Sequence, residues 1–124
     1  MDKRTEELLN RTFKFGVDTL KFLNSIPSTT TFKVIINQLA KSSTSIGANY
    51  EESQAAESKN DFIHKISICS KEARESKYWL KILIELLNND KQLINANLLY
   101  NESKQLIKIF TSIKLTSQEN KMKK

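Results

Sequence analysis

Apolar residues recur at three- and four-residue steps through most of the chain, in four blocks parted by short polar breaks. In the first block, from about Thr5 to Asn24, Leu9, Phe13, Gly16, Leu20 and Leu23 form one seam. Leu8, Thr12, Phe15, Thr19 and Phe22 form a second seam beside it, an arc wide enough to touch two neighbours. Pro27 closes the block, because the residue before a proline is pushed out of the α region. The second block starts among Thr29, Thr30 and Thr31, all fit N-caps, and runs to about Ala55 with Phe32, Ile35, Ile36, Leu39, Ser43, Ile46 and Tyr50 inward. Gly47 sits inside it among small residues, where a glycine costs about 1 kcal/mol against alanine, so it predicts a close helix crossing.

Ser58-Lys59-Asn60-Asp61 reads as a capping box with Asp in the place of Glu or Gln, and opens a third helix to about Leu87. Phe62, Ile66, Cys69, Ala73, Ser76, Leu80, Leu83, Ile84 and Leu87 make its core arc. Turned roughly 120° from that arc, at about 100° per residue, runs a second apolar stripe of Ile68, Trp79, Ile82 and Leu86. A stripe of this size predicts a subunit interface in preference to an irregular monomer core. The fourth helix is expected from about Gln92 to Leu115, with Leu98, Leu99, Leu106, Ile109, Phe110 and Ile113 inward. Asn95 and Glu102 fall within that arc, so Glu102 either pairs with a basic side chain or lies on a less buried stretch. Four helices on short connections predict an all-α, antiparallel, up-down-up-down bundle over residues 1–115, oligomeric, followed by a disordered polar tail over 116–124.

Composition narrows the picture. With 2 Gly and 1 Pro in 124 residues there is little material for tight turns. No apolar run approaches the roughly 20 residues of a membrane span, and Met1-Asp2-Lys3-Arg4 puts charges where a signal peptide needs apolar residues. A cytoplasmic protein without membrane contact is the expectation. The net charge of +6 is unevenly spread: residues 91–124 carry 7 basic and 2 acidic groups, which accounts for all but one of the net positive charges. Clustered positive charge is the footprint of a polyanion partner.

The inventory for catalysis is thin. A di-iron site in a bundle needs Glu-x-x-His from each of two helices, and the one histidine, His64, turns away from the core arc. Haem and zinc patterns are missing, and the two glycines cannot build a phosphate loop. Cys69 falls on the apolar face and reads as a small buried hydrophobe. Glu72 and Glu75, among Lys71, Arg74 and Lys77, read as helix ion pairs. No enzyme, cofactor or metal site is expected.

The stretch Gln38-Leu39-Ala40-Lys41-Ser42-Ser43-Thr44-Ser45-Ile46-Gly47-Ala48-Asn49-Tyr50-Glu51-Glu52 is more specific than a generic helix. With Ser58-x-x-Asp61-Phe62-Ile63 and Lys71-Glu72-Ala73-Arg74-Glu75-Ser76-x-Tyr78-Trp79-Leu80, it resembles the four-helix-bundle proteins encoded within bacterial 23S rRNA intervening sequences. Two departures are Lys41, where that family commonly has Arg, and Ser53, where it commonly has Gly. The resemblance implies a ring-like homopentamer and relatedness to accessory proteins of diversity-generating retroelements, which are basic bundles that associate with nucleic acid. It implies no catalytic residues, and the matched polar positions Ser45, Asn49, Glu52, Asp61 and Glu72 read as hydrogen bonds between helices. The leading expectation is a homo-oligomer that binds RNA or another nucleic acid through Lys104, Lys108, Lys114, Lys121, Lys123 and Lys124, with Arg4 and Arg11 contributing. The alternative is an oligomeric protein-interaction scaffold without nucleic acid.

Overall fold

The structure, a computed structural model, describes residues 1–122. Four α-helices and no strand make up these residues: α1 (Lys3–Leu23), α2 (Thr30–Ser53), α3 (Lys59–Leu86) and α4 (Asp90–Met122). Each start is set by a side chain that accepts an otherwise unpartnered backbone N–H. Asp2 accepts from Arg4 N (3.0 Å), Thr29 from Phe32 N (3.3 Å), Ser58 from Asp61 N (3.1 Å) and Asn89 from Gln92 N (3.0 Å). Asp61 completes the box at Ser58 by accepting from Glu57 N, one residue earlier than the usual partner.

The helices enclose one core, with contacts running α1 to α2, α2 to α3, α3 to α4 and α4 back to α1, while the diagonal pairs stay apart. Leu39, Ile46, Ile66, Leu80, Leu83, Leu106 and Phe110 are fully enclosed, and the Tyr50 and Phe110 rings meet edge to face at 5.6 Å. The α2–α3 contact is built from small residues. Ser42, Cys69, Ala73 and Ser76 are buried there, and the Ser42 and Ser76 hydroxyls hydrogen-bond across it at 2.8 Å. The Cys69 thiol donates to the Ile46 carbonyl at 3.5 Å. At the α1–α2 contact, a Cβ added to Gly47 would lie 3.3 Å from the Thr12 carbonyl carbon, which is the close crossing expected of that glycine.

Three features differ from the pattern-based expectation. On α1 the core takes the Leu8, Thr12, Phe15, Thr19, Phe22 seam, and Phe13 is left 72% exposed. The threonines can be buried because their hydroxyls donate to carbonyls of their own helix, Thr12 to Leu8 and Thr19 to Phe15. On α4 the buried line is Ala96, Leu99, Ser103, Leu106 and Phe110, and Leu98 is 63% exposed. Small Ala96 and Ser103 let the helix approach closely on that line. Finally, α4 does not stop at Leu115. Residues 116–122 continue it, and Lys121 Nζ donates to Asn60 Oδ1 near the start of α3.

Candidate nucleic-acid interface

α3 and α4 run side by side, and a groove of about 860 Å³, lined mainly by these two helices with Gln38 of α2 at its edge, gathers charge and rings. Lys71 and Arg74 stand one turn apart on α3, with Tyr78 and Trp79 a further turn along, and Lys114 faces them from α4. The Tyr78 and Trp79 rings meet edge to face at 5.3 Å, and Tyr78 is 58% exposed. Farther along the same pair of helices, Lys77 and Lys104 hold their ammonium groups 6.0 and 5.5 Å from the centre of the Tyr100 ring. Among the described residues lining the groove one carboxylate, Glu75, appears, and no ion pair of the described residues engages Lys71, Arg74, Lys77, Lys104 or Lys114. The helix ion pairs expected between Glu72 or Glu75 and their basic neighbours are therefore not formed as direct contacts. Glu72 is instead half-buried; desolvation, helped by Glu75, raises its pKa against the opposing pull of Lys71 and Lys41.

The other expected basic residues lie elsewhere. Arg4, Arg11 and Lys108 line a second groove between the start of α1 and the later half of α4, together with Asp2 and Glu7. Within it Arg11 is not an open phosphate ligand. Its Nε and Nη2 donate to the two Glu102 carboxylate oxygens at 2.6 and 2.7 Å, and this bond raises the Arg11 pKa above its usual value. The fork explains how Glu102 is accommodated at the margin of the α4 apolar line. Lys121 reaches Asn60, while Lys123 and Lys124 lie outside the described residues.

The α3 stripe expected at a subunit interface is partly used within the chain. Trp79 and Ile82 pack against the core, Ile68 is half-buried, and Leu86 is 45% exposed. A larger open apolar surface lies on α1 and α2, where Leu9, Phe13, Val17 and Leu20 flank Gly47 and Ala48 in a groove of about 340 Å³. The seam of α1 that the core does not use forms its wall.

Among the described residues, the histidine and the cysteine stand apart. His64 is exposed, and burial pushes the Cys69 thiol up to about 12. Among the described residues, no three His, Cys, Asp or Glu side chains are grouped so as to hold a metal ion, and no helix is long and apolar enough to cross a membrane.

The profile of the 23S rRNA-intervening sequence protein family matches residues 4–112, nearly all of the four helices. The chain belongs to that family. Among solved structures it is similar to a crystal structure from Bacteroides thetaiotaomicron VPI-5482, described as a protein of unknown function from the S23 ribosomal protein family. The two are 34% identical with a TM-score of 0.73, over 86% of this chain and 96% of that one. Among functionally curated proteins there is no match.

The residues that carry the family resemblance on α2 and α3 serve the helices themselves. Ser45 donates to the Lys41 carbonyl, Asn49 to the Ser45 carbonyl, and Asp61 accepts at the start of α3. Across the α2–α3 contact the bonds are made instead by Ser42 with Ser76 and by Cys69, which donates to Ile46. Lys71, Arg74 and Lys77 were the functional candidates that pattern reading passed over. Their acidic neighbours in sequence suggested neutralisation, and only the rotation of α3 against α4 puts them beside Lys104 and Lys114.

Proposed function

We propose that this member of the 23S rRNA-intervening sequence protein family is a non-enzymatic, cytoplasmic homo-oligomer that binds RNA through phosphate contacts. The observation that carries the reading is the row of basic side chains on α3 and α4, Lys71, Arg74, Lys77, Lys104 and Lys114, none held in an ion pair by the described residues. The family's link with 23S rRNA genes and the net charge of +6 point the same way. Phosphate contacts of this kind release counterions, so affinity should fall steeply with salt.

The helix order we infer is antiparallel and up-down-up-down. It is supported by reciprocal pairings in which one residue number rises as the other falls: Gly16 near Ser43 and Thr12 near Gly47, Ser42 with Ser76 and Ile46 with Cys69, Arg11 with Glu102 and Ser25 with Gln92. Self-association would use the open Phe13 and Leu20 face of α1, joined by Leu86 at the exposed end of the Ile68, Trp79, Ile82, Leu86 stripe. A ring of copies would repeat the basic row and strengthen a modest site by multivalency. That same apolar groove favours a second reading, a scaffold that recruits another protein and leaves RNA alone.

Fluorescence anisotropy of a labelled, structured rRNA fragment over a salt series separates the two readings. Binding at low salt that collapses as salt rises supports the RNA reading. No binding at low salt overturns it in favour of the scaffold. Light scattering tests assembly: a multiple of the 14.3 kDa chain that drops in Phe13→Ser supports the α1 interface, and a monomer at every concentration refutes it.

A further inference from the structure

We infer that the α3–α4 groove takes single-stranded RNA, with an unstacked base laid on Tyr78 and the flanking phosphates held by Lys71, Arg74 and Lys114. The inference rests on the RNA reading above and goes beyond it by naming the form of RNA and the place it binds.

The argument is one of matching shapes and charges. A duplex offers a protein its phosphates and groove edges, and it keeps its base faces covered by stacking. Lysines alone would suit a duplex. Exposed aromatic rings set among the lysines suit bases that are free to stack, because every base has a π-face and stacking tolerates any sequence. Tyr78 meets this requirement: it is exposed, it lines the groove, and Trp79 braces its ring edge to face at 5.3 Å. Arg74, one turn before Tyr78, can lie flat on a base as well as reach a phosphate. Tyr100 is the second ring on this side, but Lys77 and Lys104 already approach it, so it adds cations more than a stacking face. Helix geometry sets the reach. Lys71 and Tyr78 are seven residues apart on α3, about 10 Å along its axis at about 1.5 Å per residue, a span of one or two nucleotides of extended strand. The second groove, with Arg4 and Lys108, lacks this match, since Arg11 is tied to Glu102 and two further acids, Asp2 and Glu7, line it.

Trp79 is the one tryptophan of the chain, so its emission reports on the groove directly. The experiment titrates the full chain with an end-labelled oligoriboadenylate of about ten nucleotides, and with a blunt duplex of equal length, reading label anisotropy and Trp79 emission together. The inference predicts that the single strand quenches Trp79 over the same concentrations that raise anisotropy, and that the duplex binds at least about tenfold more weakly. Tyr78→Ala should lose about tenfold in affinity for the single strand, Tyr78→Phe should recover it, and circular dichroism should show both variants folded. Binding by anisotropy with Trp79 unmoved and Tyr78→Ala unaffected would overturn the groove while leaving RNA binding in place. Equal affinity for duplex and single strand would overturn the stacking argument. No binding of either probe at low salt would end this inference together with the RNA reading.

Discussion

The Arg11–Glu102 fork joins the first helix to the last across ninety-one positions of sequence, and its removal has a calculable consequence. Two charge-assisted hydrogen bonds, at 2.6 and 2.7 Å, would each contribute about 1.5–3 kcal/mol if fully enclosed. The side chains are 40% and 29% exposed, so solvent screening brings the pair down toward the exposed-pair range of about 0.2–1 kcal/mol. A coupling of about 1 kcal/mol between the two positions is the balance of these limits. Arg11→Ala alone should cost about 1–1.5 kcal/mol, because Glu102 is left without its partner beside the apolar line of α4, and the midpoint of thermal unfolding should fall by about 3–6 °C. Arg11→Lys should recover only part, since an ammonium cannot match both carboxylate oxygens at once. The assay is a double-mutant cycle of Arg11→Ala and Glu102→Ala by urea denaturation, at low salt and again at about 1 M NaCl, where the screening length drops to about 3 Å. Urea is needed because guanidinium would itself screen the pair. Additive single effects at low salt would refute the coupling. Loss of RNA affinity in Arg11→Ala without loss of stability would refute the structural role and return Arg11 to the phosphate contacts.

Three other perturbations follow from the packing and the titrating groups. Gly16→Ala should stabilise the protein by about 0.5–1 kcal/mol, since its Cβ would meet ordinary contacts of 3.5 Å and beyond; Gly47→Ala should gain less or lose stability, since its Cβ would press to 3.3 Å on the α1 backbone. Equal gains in chemical denaturation would contradict the close crossing. Glu72 has a folded-state pKa above its ordinary 4.5, so the native state takes up the proton first and the contribution of Glu72 to stability is largest at low pH and declines as pH rises through that raised value. Glu72→Gln should therefore unfold at higher urea than the parent at pH 7, with the gap closing near pH 4; a variant weaker than the parent at pH 7 would show that Lys71 and Lys41 outweigh desolvation. The Cys69 thiol, enclosed and pushed up to about 12, should react with a disulfide reagent only at the rate of global unfolding, and rapid labelling of the native protein at pH 8 would contradict its burial.

Much of this architecture can be read from residue spacing alone. Period and caps locate all four helices, with Pro27 and the Ser58 cap marking breaks that the structure keeps. The core arc of α3 from Ile66 to Leu87 also follows directly from spacing. Spacing is weaker where two apolar seams compete. On α1, Phe13 and Leu20 look as fit for burial as Phe15 and Phe22, and the choice depends on the close α1–α2 approach at Gly47, a tertiary fact. On α4 a hydrophobicity count favours Leu98, whereas close packing favours the small Ala96 and Ser103. The extension of α4 past Leu115 is not legible in spacing, because the apolar periodicity fades there while Thr116 to Met122 still carries residues that a helix tolerates. The candidate site was half visible. Charge asymmetry singled out Lys104, Lys108 and Lys114 on α4, but the partners from α3 emerge only when two faces, each ordinary alone, are set side by side.

The most direct test of the central claim is the salt dependence of RNA affinity for the parent protein and for a variant with Lys71, Arg74 and Lys114 all changed to Gln. If these groups contact phosphates, the parent's plot of log affinity against log salt is steep, and the triple variant loses slope by about 0.7 per lysine or arginine removed for a single strand. A folded triple variant with the parent's affinity and slope would contradict the account, and the open basic row on α3 and α4 would then be no more than a solvated surface.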